Sequence, residues 1–262
     1  GGTYLIADTF YHSPFIIQTN APRSGFLGNG LGTGSKLISV GATNTYGIRA
    51  YQIAPIFDGI TFDYAQAVPQ SVITNWAWTD QAYPEAGGGL WVNAIGPGRV
   101  ENCEFIGIAG NAVYFQGFRD ISARSNELKF ANCIVRGCYN GFMGARTNGT
   151  EFVSGRACYF ITNTSVAFYT SDANNHWTDC HFMGWVDGPN GTPAGVIYKN
   201  TFKYRTAVSG RTHSEYRRFI CVHAGQGVDI DGIQPGGGNT GAAFKFEDGT
   251  IGGCISNYIG NF

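Results

Sequence analysis

Four short segments with one shared pattern decide the fold: Asn102-Cys103-Glu104-Phe105, Asn132-Cys133-Ile134-Val135, Ala157-Cys158-Tyr159-Phe160 and Asp179-Cys180-His181-Phe182. In each segment a small residue and a cysteine precede a short strand-like stretch. The four cysteines follow one another after 30, 25 and 22 residues. Units of this length with such short strands cannot bury their own apolar face, so we expect them to stack on one another.

A second strand-like pattern follows each unit at a short distance. It comprises Gly110-Asn111-Ala112-Val113-Tyr114-Phe115, Tyr139-Asn140-Gly141-Phe142-Met143, Asn163-Thr164-Ser165-Val166-Ala167-Phe168 and Pro193-Ala194-Gly195-Val196-Ile197-Tyr198. Stacking places equivalent residues about 4.8 Å apart, so the cysteines should form an inward column of free thiols. The sequence therefore predicts an all-β, right-handed single-stranded parallel β-helix of about ten coils.

Composition agrees with this fold and excludes several others. The 262 residues include 39 glycines, which disfavour helices but show no collagen-like period. The balance of 17 basic and 18 acidic side chains argues against nucleic acid as a partner, and no long apolar run predicts membrane insertion. Seven cysteines without a Cys-x-x-Cys spacing predict no metal site, and we expect no cofactor.

The first coils carry a specific resemblance. Gly2-Thr3-Tyr4-Leu5-Ile6, Pro14-Phe15-Ile16-Ile17 and Gly25-Phe26-Leu27-Gly28-Asn29-Gly30 up to Lys36-Leu37-Ile38 resemble the opening of pectate-lyase-superfamily proteins, and Phe57-Asp58-Gly59-Ile60-Thr61-Phe62 resembles the next rung. Bacteriophage tailspikes are the most similar members. The resemblance implies a homotrimer on a virion tail that acts on a bacterial polysaccharide. Residues 1–262 would be a single β-helix body, with flanking head-binding and C-terminal parts outside it.

Two carboxylates are the main catalytic candidates. In Gly227-Val228-Asp229-Ile230-Asp231-Gly232, alternation places Val228 and Ile230 inward, so Asp229 and Asp231 share the outer face about 6.5 to 7 Å apart. That separation covers what glycoside hydrolysis needs. Like charges this close are expected to raise the pKa of one carboxyl, which would leave one acid and one base. The alternative is a solvated aspartate pair before a turn.

Stacking of the second pattern predicts one outward column of Gln116, Ala145, Tyr169, Lys199 and Asp231. Tyr169 and Lys199 would then bind sugar hydroxyls or an acidic sugar, or abstract the proton beside a uronate carboxylate in a lyase. His181 beside Tyr159 is an alternative catalytic pair of the same kind. The outward positions Glu104, Ile134, Tyr159 and His181 form no calcium cluster.

Two segments are predicted to be loop insertions. Residues 69–91 contain Trp76, Trp78 and Trp91, whose rings could stack on sugars in the wall of a groove. The loop could equally dock on its own rod or on a neighbouring subunit. Residues 199–218 are rich in lysine and arginine, which would suit an acidic polysaccharide.

The resemblance implies a phage tailspike that binds and depolymerises a capsule or O-antigen polysaccharide, and the carboxylate pair predicts hydrolysis at Asp229 and Asp231. One alternative is a polysaccharide lyase of the same fold. Another, of a different class, is a non-catalytic β-helix adhesin or tail-fibre module.

Overall fold

The computed structural model describes residues 3–18, 25–40, 46–64, 88–94, 97–117, 128–144, 153–170, 175–184, 200–205, 213–224, 226–231, 243–254 and 256–260. Within these residues the chain forms 27 strands in three parallel sheets of nine strands each. The chain visits sheet A, then sheet B, then sheet C, and repeats this order nine times. The predicted parallel coil of an all-β solenoid is therefore confirmed.

The strands of the three sheets have these bounds. Sheet A comprises β1 (Thr3–Leu5), β4 (Gly25–Leu27), β7 (Ile56–Asp58), β10 (Gly98–Glu101), β13 (Leu128–Ala131), β16 (Val153–Arg156), β19 (Asn175–Thr178), β22 (His213–Arg217) and β25 (Ala243–Glu247). Sheet B comprises β2 (Thr9–His12), β5 (Lys36–Ser39), β8 (Thr61–Tyr64), β11 (Glu104–Ile106), β14 (Ile134–Arg136), β17 (Tyr159–Ile161), β20 (His181–Met183), β23 (Ile220–Val222) and β26 (Thr250–Gly252). Sheet C comprises β3 (Phe15–Gln18), β6 (Tyr46–Ile53), β9 (Gly88–Ala94), β12 (Asn111–Gly117), β15 (Asn140–Gly144), β18 (Val166–Thr170), β21 (Thr201–Arg205), β24 (Gln226–Asp231) and β27 (Ser256–Gly260).

Each coil has three strands, whereas the sequence pattern predicted two. The missed strand is the one in sheet A that precedes each Asn-Cys unit. The described coils number nine, fewer than the ten expected, because the coils are longer and more unequal than a uniform repeat. Register partners in sheet A are 22 residues apart at Thr3 and Gly25, but 43 residues apart at Ile56 and Arg99.

The corner between sheets A and B explains the Asn-Cys pattern. The residue before each of the four cysteines of this pattern has a positive φ, 52° at Asn102 and Asn132, 50° at Ala157 and 56° at Asp179. Asparagine and aspartate tolerate this left-handed conformation better than most residues. A single such residue turns the chain sharply and points the next side chain inward. At the corner between sheets B and C, Gly107 and Gly137 have the same role with φ of 58° and 59°.

The predicted cysteine column is confirmed. Cys103, Cys133, Cys158 and Cys180 are buried on successive coils, and all seven cysteines are free. Each of the four thiols donates a hydrogen bond to the carbonyl two residues before it, for example Cys103 to Glu101 at 3.1 Å. The thiol therefore satisfies a carbonyl at the corner while it fills the core.

Aromatic side chains fill the space between the three sheets. Phe62 stacks on Phe105 with ring centroids 4.7 Å apart, and Phe160 stacks on Phe182 at 4.8 Å. Inward asparagines continue this stacking with hydrogen bonds. The Asn140 side-chain amide donates to Asn111 Oδ1 at 2.9 Å, and Asn140 Oδ1 accepts from the Val166 amide at 3.1 Å. These bonds satisfy buried polar groups, so the ladder supports the turn into sheet C.

Candidate functional site

The predicted catalytic aspartates lie on β24, in the C-terminal third of sheet C. Val228 is fully buried, so strand alternation places positions 229 and 231 on the outer face. Lys203 on β21 is the register partner of Asp229, and Arg205 is the register partner of Asp231. The outer face thus has two acidic positions beside two basic positions, with strands about 4.8 Å apart.

The predicted stacking of Tyr169 with Lys199 and Asp231 is wrong by register. Tyr169 pairs with Met143 on one side and Lys203 on the other, and Lys203 pairs with Asp229. Two strand spacings separate Tyr169 from Asp229, about 10 Å. Tyr169 therefore shares its outward column with Lys203 and Asp229, and not with Lys199 and Asp231.

The same correction applies to the remaining members of the predicted column. Gln116 pairs with Asn93 rather than with a residue of the Tyr169 column, and Ala145 lies outside the described residues. Lys199 also lies outside them. The sheet C strand of this coil is β21 (Thr201–Arg205), whereas the sequence pattern predicts it at residues 193–198.

Tyr169 is only 2% exposed, although it lies on the outer face of sheet C. It packs with Met143 and Val166 in a small apolar cluster, against which Tyr114 is partly buried. The ring therefore offers little surface to a ligand. Its contribution to a site on this face would be to hold the neighbouring strands in position.

Trp91 lies on the strand β9, whereas the sequence predicts it in a loop insertion. Its ring is covered by the Arg49 guanidinium carbon, 4.7 Å from the ring centroid. Tyr46 and Tyr114 contact the same ring with centroids 5.6 and 5.8 Å away. Trp91 and Asp229 belong to one outward column, five strand spacings or about 24 Å apart.

The two predicted insertions are only partly described. Residues 69–87, with Trp76 and Trp78, lie outside the described residues, and residues 88–91 form the first half of β9. The segment 199–218 includes the strands β21 and β22. Much of its positive charge therefore lies on sheet strands rather than on an inserted loop.

The alternative pair, Tyr159 and His181, is brought together as predicted. The two residues are register partners on sheet B, with ring centroids 4.8 Å apart and an interplanar angle of 43°. Both lie on the outer face, where Tyr159 is 37% exposed. The nearby Asp179 carboxylate accepts two hydrogen bonds from Arg218, at 2.7 and 2.9 Å, which lower the pKa of Asp179. Both oxygens of the Asp179 carboxylate accept from Arg218. Asp179 is therefore not placed to accept a hydrogen bond from His181 and orient its ring.

Two of the buried thiols, Cys103 and Cys138, are unsuited to nucleophilic chemistry. Burial raises the pKa of the Cys103 thiol to about 12, and the same cause raises the pKa of Cys138 to about 12. A thiol that stays protonated and buried does not attack a substrate. Among the described residues, no group of three or more His, Cys, Asp or Glu side chains is arranged to hold a metal ion. Those residues also contain no helix long and apolar enough to cross a membrane.

Three positions near Asp229 were missed as site residues by the sequence pattern. The sequence pattern places Lys203 and Arg205 in the predicted insertion 199–218 and predicts no role for Tyr258. The signal was present, because Thr201-Phe202-Lys203-Tyr204-Arg205 alternates like a strand with one buried face. Tyr258 is the register partner of Asp229 on the side away from Lys203, and it is 46% exposed.

Comparisons with protein-family models, with curated proteins and with solved structures found no match to this chain.

Proposed function

We propose that this chain binds and depolymerises a bacterial surface polysaccharide by glycoside hydrolysis at Asp229 and Asp231. The observation that carries the proposal is the placement of both positions on the outer face of β24, two residues apart. That spacing is about 6.5 to 7 Å along a strand, and side-chain freedom covers the range used by glycosidases.

The neighbours of Asp229 support a sugar ligand. Tyr258 is exposed beside it, and an aromatic ring can stack on the apolar face of a sugar while its hydroxyl meets polar groups. Lys203 and Arg205 occupy the register positions of Asp229 and Asp231 on the adjacent strand. Acidic and basic positions on adjacent strands, next to one exposed aromatic ring, suit a sugar chain that runs across several strands.

A second candidate, a polysaccharide lyase, is favoured by the two cations. A cation next to a carboxylate favours its ionised form, whereas hydrolysis needs one protonated acid. The same cations could bind a uronate carboxylate and stabilise the enolate formed when a proton is removed beside it. Tyr159 and His181 on sheet B are the alternative acid–base pair for this chemistry.

The biological setting we propose is a trimeric phage tailspike of right-handed coils on the virion tail. The support is the resemblance of the first coils to the pectate-lyase superfamily, together with the observed stack of three parallel sheets. Free buried thiols agree with assembly in a reducing cytoplasm.

The test is an assay of the purified chain on a panel of capsule and O-antigen polysaccharides. New reducing ends without the ultraviolet absorbance of an unsaturated uronate would support hydrolysis. Both signals together would support the lyase. Tight binding with neither signal would contradict cleavage and support the non-catalytic adhesin.

A further inference from the structure

Three cations lie close together on the outer face of sheet A. Arg99 is on β10, Lys129 on β13 and Arg156 on β16, so they occupy three consecutive strands. All three side chains are exposed. We refer to Arg99, Lys129 and Arg156 as the cationic cluster.

The cationic cluster is electrostatically unfavourable by itself. Arg99 and Lys129 are register partners, and like charges directly opposite on neighbouring strands destabilise a sheet. Glu101 lies 3.7 Å from Arg99 and compensates one charge. Within the described part of the chain, neither Lys129 nor Arg156 forms an ion pair. Arg156 is near enough to the Asp179 carboxylate to help lower its pKa, but Arg218 holds both oxygens of that carboxylate. The cluster therefore keeps a net positive charge among the described residues.

Two other cations, one on β22 and one at the corner directly after it, are paired. Arg217 lies 3.3 Å from Glu215 and 3.1 Å from Glu247, and Arg218 forms a bidentate pair with Asp179. Among the described residues, no carboxylate is paired in this way with Lys129 or Arg156. This contrast leaves the cationic cluster available to an anion from outside the chain.

Small side chains give such an anion room. Ser154 is the register partner of Lys129, and Ala131 and Thr178 are the register partners of Arg156 on either side. These short side chains are therefore the neighbours of the longer cations on the adjacent strands. The hydroxyls of Ser154 and Thr178 add donors that could complete the coordination of an oxyanion.

We propose that the cationic cluster is a second glycan-binding site, which takes a carboxylate or sulfate group of an acidic polysaccharide. It lies on sheet A, whereas Asp229 and Asp231 lie on sheet C. The choice of a polysaccharide rests on the proposed function, while the anion preference rests on the three cations. A nucleic acid is disfavoured because the whole chain has a net charge of −1 and the cluster would neutralise few phosphates.

The test measures binding of the full chain to four probes: sodium polygalacturonate, dextran sulfate, neutral dextran and duplex DNA. The double variant Lys129→Gln/Arg156→Gln removes the two cations of the cluster that form no ion pair among the described residues. The matched control is Lys36→Gln/Arg136→Gln, which removes one lysine and one arginine from sheet B, where they pair with Asp63 at 3.0 Å and Glu104 at 2.8 Å.

We expect the cluster variant to lose about 10-fold or more in affinity for at least one acidic polysaccharide and to show a weaker salt dependence. The control should change by less than about twofold. The proposal would be overturned if both variants bound every acidic polysaccharide with the same affinity. It would also be overturned if the unmodified chain bound neutral dextran as tightly as the acidic polysaccharides. DNA binding as tight as polysaccharide binding, with the same loss in the cluster variant, would also overturn it.

A stability measurement separates binding from a structural role. Without ligand, Lys129→Gln should leave the thermal midpoint unchanged or raise it, because it removes a like-charge contact with Arg99. A lowered midpoint would contradict the proposed like-charge contact between Lys129 and Arg99.

The two proposals fail separately, because binding to the cluster is measured without turnover. Acidic-glycan binding that depends on the cluster, with no cleavage of any glycan, would contradict the proposed hydrolase alone.

Discussion

Lys203 and Asp229 are register partners on the adjacent parallel strands β21 and β24. Opposite charges at such positions stabilise a sheet by about 0.2 to 1 kcal/mol. We therefore expect a double-mutant cycle of Lys203→Gln and Asp229→Asn, followed by urea unfolding, to give a coupling energy in that range. The control pairs Lys203→Gln with Asp231→Asn, whose register partner is Arg205. Equal coupling in both cycles, or none in either, would contradict the register.

Gly155 is an inward position that the Trp177 ring occupies. A Cβ atom built on Gly155 would lie 2.0 Å from two carbons of that ring, which stacks on Phe130 with centroids 5.6 Å apart. Gly155→Ala should therefore lower the free energy of unfolding by about 1 to 3 kcal/mol or more. Gly252→Ala on β26 is the matched control, because its nearest atom would be 3.9 Å away. Similar urea midpoints for the two variants would contradict this packing.

The asparagine ladder under sheet C makes a second stability prediction. Asn140→Ala removes the partner of Asn111 and of the Val166 amide, both of which are buried. A buried polar group left without a partner costs about 1 to 3 kcal/mol. Asn132→Gly is the control, because this exposed corner residue has a φ of 52° that glycine adopts freely. Chemical denaturation should show the larger loss at Asn140, and the reverse order would argue against the ladder.

The buried thiols predict an alkaline loss of stability. Burial raises the pKa of Cys103 and Cys138 from the ordinary 9.0 to about 12. Below pH 9 these thiols are protonated in both the folded and the unfolded chain, so they add no pH dependence. Between pH 9 and 12 unfolding releases their protons, so the free energy of unfolding falls by up to about 1.4 kcal/mol per pH unit for each thiol.

Urea unfolding across this pH range tests that prediction. The double variant Cys103→Ala/Cys138→Ala should show a shallower decline with pH than the unmodified chain, whatever its stability at pH 8. Identical slopes would mean that the thiols ionise equally in the folded and unfolded states, which would contradict their burial.

The repeated Asn-Cys units were sufficient to predict the inward thiol column and the stacking of coils. They worked because the left-handed corner restricts the first residue and the core restricts the second, so both leave a local signal. The strand before each unit was missed, since Leu128-Lys129-Phe130-Ala131 has no residue type that repeats from coil to coil.

The register of sheet C was less predictable for a different reason. The strands β20 and β21 are separated by residues 184–200, and an intervening apolar stretch at 193–198 resembles a strand as much as Thr201–Arg205 does. A shift in the choice of strand moves every outward partner. For this reason Tyr169 was matched with Lys199 and Asp231, whereas its column contains Lys203 and Asp229.

The proposed hydrolysis depends on Asp229 and Asp231, and one measurement tests it directly. Asp229→Asn, Asp231→Asn and the control Asp248→Asn are assayed for new reducing ends on a polysaccharide that the unmodified chain cleaves. Asp248 is an exposed corner residue with a φ of 53°, which asparagine accepts. We predict that each of the first two variants loses activity by about 100-fold or more while its thermal midpoint falls by no more than about 4 °C, as the loss of one charge pair allows, and that the control keeps full activity. Full activity in both Asp229→Asn and Asp231→Asn would contradict the proposed site.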